Sequence, residues 1–226
     1  LKIAKAAAAI GKANLPMRVT DAVRTFIESL AQAQPKPVGK ILKQVTNPLL
    51  SNLILNSLFP DKTLARSFYA SLHNTANVTI IHGGEKVNMV PSEASMKVDG
   101  RLIPGQSAED FVREIRRVIG KGFKVNVDQT MPGLITDLDD PAFVAMKNVI
   151  RKHDPEGNPI PYMTPAFTDA KYFSKVCDKC FGFSPVKLGP NEAFAQLIHG
   201  HNERIPVEGF KAGLRILADL VSELAC

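Results

Sequence analysis

MTPAFTDAKYFSKVCDKCFGFSPVKLGPNEAFAQLIHGHNERIP, residues 163–206, is the stretch around which the chain is organised. Thr168-Asp169-Ala170 reads as a strand-to-helix junction, because Thr and Asp accept hydrogen bonds from the free N–H groups of a first helical turn. Phe181-Gly182-Phe183 reads as a short strand. Cys177 and Cys180 form a C-x-x-C that reads either as two reduced thiols or as half of a metal or redox site. His199-Gly200-His201-Asn202-Glu203-Arg204 follows. Histidines at i and i+2 share a face only on an extended segment, so His199 and His201 are rivals for one role. Together, Cys177, Cys180, His199 and His201 also have the residue types of a structural zinc site.

Working outward, Pro206 opens a last helix on which Val207, Phe210, Leu214, Leu217, Val221 and Leu224 fall along one face; these are expected to seal a core. Upstream, Asp140 and Pro141 start a helix that runs to about Lys152. Helix, strand, helix, strand, helix makes half of an α/β sandwich. In residues 77–127 the apolar period is two. Val78 to Ile81 and the alternating Ala94, Met96 and Val98 read as strands, joined through Gly83-Gly84. Ser107 with Asp110 makes a capping box at the start of a helix that Gly120 stops. Phe123, Val125 and Val127 alternate as a third strand. Strand, strand, helix, strand is most of a ferredoxin-like sandwich whose opening strand is expected before Leu1. Residues 1–75 read as helical. Leu1 to Ala13 is closed by Pro16, and Thr20-Asp21 caps a second helix carrying Val23, Phe26, Ile27 and Leu30. A breaker at Gln34 to Pro37 precedes further apolar helices.

Two separated motifs carry a resemblance. The stretch GGEKVNMVPSEASMKVDGRLIPG, residues 83–105, followed by the TDA of residues 168–170 and the HGHNE of residues 199–203, resembles the co-catalytic zinc hydrolases. That family includes aminoacylase, carboxypeptidase, N-acetylornithine deacetylase and succinyl-diaminopimelate desuccinylase. The resemblance spans nearly the whole chain. It implies an α/β fold in which residues 1–138 form a ferredoxin-like lid, of the dimerisation type, with a helical extension. Residues 139–226 would be the C-terminal half of the zinc-hydrolase sandwich. It further implies His199 as a metal ligand, with two zinc ions about 3.5–4 Å apart in the complete enzyme. Asn88 and Arg101 would reach toward the scissile carbonyl and the substrate's carboxylate, and Thr168 and Asp169 would border the active site. Arg101 in Asp99-Gly100-Arg101 fits the pattern well, whereas Met89 departs from it. Ala166 and Phe167 stand where relatives carry glycines, so a tighter or more apolar pocket is expected.

The implied reaction is hydrolysis of the amide of an N-acyl amino acid or of a peptide's C-terminal residue, by zinc-bound hydroxide with a carboxylate shuttling the proton. The first-half ligands and that carboxylate find no match here, so no catalytic residue is assigned within the chain. The chain alone is expected to be inert and to need the N-terminal half of the catalytic domain. A homodimer through the lid is implied as well, and a non-catalytic lid or dimerisation fragment is the rival class.

Composition narrows the rest. Of the 226 residues, 45% are hydrophobic and 22% charged, with a net charge of +6. The basic residues are scattered and not interleaved with aromatics, which argues against a nucleic-acid partner. No apolar run approaches the roughly 18 residues of a membrane span. The Ala-rich start is broken by Lys2, Lys5 and Lys12, unlike a signal peptide. The lack of an initiator Met predicts a chain that begins inside something longer or is processed. Three cysteines, an odd number, argue for a reducing, cytoplasmic compartment.

Overall fold

The structure is a computed structural model that describes residues 1–59, 62–131, 133–164, 166–189, 192 and 201–225. It divides into two compact units, Leu1–Ile135 with Pro161–Lys175, and Thr136–Ile160 with Val176–Cys226. The architecture is mixed α/β, and among the described residues the only sheet has two strands.

The first unit begins with helix α1 (Lys2–Lys12) and helix α2 (Asp21–Gln32). The Thr20 hydroxyl accepts a hydrogen bond from the Val23 amide and so caps α2, as its position before an acidic first residue predicts. The expected breaker ends α2, but Pro35 then stands immediately before α3 (Lys36–Lys43), whose first turn contains Pro37. Proline ends one helix and starts the next because it lacks only an N–H that a first turn does not use. A 3-10 turn at Gln44–Thr46 leads to α4 (Ser51–Leu53), which widens into a π-helical turn at Ile54–Leu58, and α5 (Lys62–Leu72) follows. One core holds α2, α3, the segment of residues 44–58 and α5 together: Val23, Ile27, Ala31, Leu42, Val45, Ile54, Leu55, Ala65, Phe68 and Leu72 are all buried in it.

Strand β1 (Thr75–His82) pairs antiparallel with β2 (Ser95–Arg101), in a register running from Thr75 opposite Arg101 to His82 opposite Ser95. Helix α6 (Ala108–Ile119) starts with the expected capping box: the Asp110 amide donates to the Ser107 hydroxyl, and the Ser107 amide donates to the Asp110 carboxylate. A side chain at Gly100 would strike the Phe111 ring, so α6 lies against the sheet face to which Gly100 belongs. Residues alternate along a strand, so Asp99 and Arg101 point to the opposite face.

A buried polar junction ties the helical segment to the sheet. Glu114 of α6 pairs with Arg18 and accepts from the Asn74 amide at 3.0 Å, while Asn74 Oδ1 accepts from the Ile103 amide at 2.8 Å. The third strand expected over residues 123–127 is not formed. That segment keeps an alternating exposure over its first four residues, and Asp128 just beyond it pairs with Lys97 of β2, but it makes no ladder. Alternation records which side chains face a core. A strand also needs a neighbouring backbone to bond to.

In the second unit α7 (Pro141–His153) packs on α9 (Val207–Leu224) through Ala145, Val149, Ile216 and Leu220, with Met146 and Phe183 against them. Asp140 caps α7 as expected, its carboxylate accepting from the Ala142 amide at 2.9 Å and from Lys179 at 2.5 Å. Those donors hold the Asp140 carboxyl below its usual range, the lysine contributing most. Two expectations fail in this unit. Phe181-Gly182-Phe183 is not a strand, and no strand forms among the described residues of this unit. The apolar face of α9 does not seal a core either: Val207, Phe210, Leu214, Leu217, Val221 and Leu224 are 37 to 67% exposed. The buried stripe is instead Gly209, Gly213, Ile216 and Leu220. Glycine carries no side chain, so an apolar count passes over it, yet its absence of bulk is what lets the helix come close. Among the described residues no helix is long and apolar enough to cross a membrane.

Candidate functional site

Arg101 ends β2 on the sheet face turned away from α6. Its Nε donates to Asp99 Oδ2 at 2.7 Å, two residues back along the same face of the strand. The guanidinium carbon lies 4.1 Å from the centroid of the Phe167 ring, within cation–π range. Among the described residues the two terminal nitrogens, Nη1 and Nη2, meet no acceptor. They are the pair that grips a carboxylate through two parallel hydrogen bonds.

Phe167 is followed at once by Thr168 and Asp169, so the structure brings Arg101 close to the threonine–aspartate motif. The junction is tighter than expected. The helix after it, α8 (Ala170–Phe173), has four residues, and no strand leads into it. The Thr168 hydroxyl accepts from the Ala170 amide at 3.3 Å, whereas Asp169 makes no side-chain cap and holds the turn through its backbone carbonyl, which accepts from Tyr172 and Phe173. Lys171 adds a second cation, its Nζ lying 5.1 Å from the Phe167 ring and 4.8 Å from that of Tyr172. Its place between two aromatic rings had no signal beyond the proximity of Phe167 and Tyr172 in the chain.

Asn88 is not brought to Arg101. It lies exposed in the turn between β1 and β2, at the His82–Ser95 end of the ladder, whereas Arg101 closes the other end opposite Thr75. The seven residues of β2 separate the two ends by roughly 20 Å. His199 lies outside the described residues. His201 is exposed, beside Asn202 in a left-handed conformation (φ 62°). Cys177 and Cys180 are free thiols, the first exposed and the second half-buried, and the Cys180 carbonyl accepts from the Thr136 hydroxyl.

Two further histidines, His73 and His153, have partners elsewhere in the structure. His73 is buried, stacks on Tyr69 at 4.0 Å between ring centroids, and its Nδ1–H donates to the Tyr69 carbonyl. His153 reaches Asp219 at 2.9 Å. Among the described residues no group of three or more His, Cys, Asp or Glu side chains could hold a metal ion. The described residues therefore do not fit a zinc centre by themselves.

Comparison with known proteins explains this partial site. Residues 11–126 match the family model described as the peptidase dimerisation domain. The chain is 25% identical over 205 residues to N-fatty-acyl-amino acid synthase/hydrolase PM20D1 of Homo sapiens, which covers 88% of this chain and 39% of that protein. It is 26% identical over 174 residues to probable carboxypeptidase S-like 2 of Dictyostelium discoideum, covering 72% of this chain and 32% of that one. To aminoacylase-1 of Mus musculus it is 31% identical over 157 residues, 67% of this chain and 37% of that protein. The chain thus spans about a third to two-fifths of the length of the curated relatives it matches. No solved structure matches it significantly. The chain belongs to the M20 zinc metallopeptidase and amidohydrolase family, and most of its first unit is that family's peptidase dimerisation domain.

Proposed function

We propose that this chain is the substrate-clamping part of a zinc-dependent amidohydrolase that cleaves the amide of N-acyl amino acids or of a peptide's C-terminal residue. The observation that carries the reading is Arg101: an arginine on the open sheet face, anchored through Nε, with both terminal nitrogens free among the described residues. A guanidinium offered in this way suits a planar carboxylate better than a lone ammonium would. Thr168 and Asp169, next to the ring on which that guanidinium rests, border the place where the substrate's carboxylate end lies. Asn88, at the far end of the hairpin, serves the scissile carbonyl only if the substrate extends along the strands or if the residue acts on a second copy's site.

In this reading residues 1–138 are the lid, a ferredoxin-like domain with a helical extension, and residues 139–226 belong to the catalytic sandwich. His199 is a zinc ligand, and the remaining ligands of a two-zinc centre come from other segments of a longer enzyme. When bound in the complete enzyme, zinc would supply Lewis-acid chemistry and an activated water. The match to a dimerisation domain supports a homodimer formed through the lid. The free thiols Cys177 and Cys180 support a reducing, cytoplasmic location.

The test is Arg101→Lys in the zinc-loaded enzyme, which keeps the charge and loses the fork. For N-acyl amino acids with a free α-carboxylate, kcat/KM is expected to fall by about ten- to a hundredfold. For the matching carboxamides the change is expected to be small, and zinc content should stay the same. Equal losses on carboxylate and carboxamide would make Arg101 a support of the fold.

A further inference from the structure

Phe167 is half exposed, which for a single apolar residue needs no explanation. What does need one is the group on its ring. The guanidinium 4.1 Å from its centroid belongs to the side chain that the proposed function makes the carboxylate clamp, and the rest of that side chain is fixed from the other side by Asp99. A free arginine carries about 2 kcal/mol of rotamer entropy, which is lost on gripping an anion unless other contacts have already removed it. Asp99 removes part of it through Nε. The Phe167 ring lies against the guanidinium carbon and shields that side of the group from water. The edge bearing Nη1 and Nη2 is left open. Phe167 is itself anchored, because the Thr168 hydroxyl and carbonyl accept from the Ala170 and Lys171 amides and fix the turn immediately after it.

We propose that Phe167 is a positioning residue for carboxylate recognition: its ring and Asp99 hold Arg101 so that Nη1 and Nη2 meet the substrate's α-carboxylate end-on. The proposal rests on the reading of Arg101 as the clamp. It adds that the clamp is preformed in the free protein and that an aromatic face is what preforms it. Nε, already engaged by Asp99, is not available for a side-on grip, so the recognised anion takes the terminal pair.

Two measurements test it. In the metal-free chain, the Arg101 Nε–H and Cδ proton resonances are expected to carry an upfield ring-current shift. The shift should disappear in Phe167→Leu and persist in Phe167→Tyr. In the zinc-loaded enzyme, Phe167→Leu is expected to raise KM for N-acetyl amino acids about two- to fivefold, the worth of one exposed cation–π contact, with kcat unchanged. Tyrosine should restore KM, the carboxamides should respond little, and adding Phe167→Leu to Arg101→Lys should cost nothing further. If Arg101→Lys is selective for carboxylates and Phe167→Leu is not, Phe167 has no positioning role and the clamp reading survives alone. Arg101 resonances that do not move in Phe167→Leu, or equal losses on carboxylate and carboxamide, would also overturn the positioning role. If Arg101→Lys affects both substrates alike, the clamp reading itself fails and the proposal falls with it.

Discussion

His73 shows what a single residue hides from a sequence reading. Its partner, Tyr69, lies one helical turn back and offers both a ring and a carbonyl, but residue types alone do not say that an imidazole will turn back onto that turn. Burial pushes its pKa below the ordinary histidine value. The Tyr69 carbonyl opposes that shift and the nearby Arg18 charge adds to it. The folded state therefore favours neutral His73, while the unfolded chain takes up a proton below about pH 6.5. Stability from this residue is thus present above that value and lost as pH falls from there toward the lowered folded value, by at most about 1.4 kcal/mol per pH unit. The carboxyls held low by their partners, Asp110, Asp140 and Asp219, act only at more acidic pH, around and below their ordinary range. All three tyrosines, Tyr69, Tyr162 and Tyr172, lie in the first unit and the chain has no tryptophan, so tyrosine fluorescence reports on that unit alone. Urea midpoints followed this way should drop between pH 7.5 and 5.5, and His73→Gln should flatten the drop. An unchanged slope in the variant would remove His73 from the account. Arg101 contrasts with His73: its residue type and strand position were legible, and its rest on Phe167 was not, since 66 residues separate the two.

At the scale of elements, what could be read followed local rules. The caps at Thr20, Ser107 and Asp140 and the starts of α2, α6 and α7 depend on residues within one turn of each other. What could not be read depended on a distant partner. Residues 123–127 and 181–183 have strand-like side chains and no strand beside them. In α9 the large apolar residues marked one face and the glycines buried the other. A side-chain carbon on Gly209 would sit 2.0 Å from the Lys187 carbonyl oxygen, and one on Gly213 would sit 2.8 Å from that of Pro185. Both oxygens belong to the backbone and cannot swing aside. Gly→Ala in a helix ordinarily stabilises by up to about 1 kcal/mol. At Gly209 and Gly213 the clash reverses the sign, and each substitution is expected to destabilise the second unit by about 1–3 kcal/mol, with faster hydrogen exchange along α9. Gly11 in α1 has open space around it, so Gly11→Ala should stabilise the first unit by up to about 1 kcal/mol. The two signs together test whether close approach, and not glycine's flexibility, explains the α9 stripe. Stabilisation at Gly209 would refute it.

For the whole molecule the decisive comparison is between what the chain binds and what it would need to react. The first unit offers an anchored guanidinium, an aromatic ring and a second cation on one side of a small sheet. Hydrolysis needs more: a metal centre takes about three protein ligands and keeps an open position. The described residues bring no three such side chains together, and in the proposed reading His199 would supply only one. The six large apolar side chains along one face of α9, 37 to 67% exposed, form an exposed apolar surface of the kind that marks an interaction site. The 226-residue chain assayed alone with added zinc is therefore expected to show no turnover of N-acyl amino acids or dipeptides above the metal-ion background. It should still bind an apolar dye through α9, and placing charge on the stripe with Leu214→Glu and Val221→Glu should abolish that binding without unfolding α9, because neither residue is in the buried stripe. Turnover that survives purification to homogeneity and vanishes with a chelator would mean that the chain carries a complete metal centre after all. The ligand set would then include at least one residue outside the described ones, His199 first among the candidates.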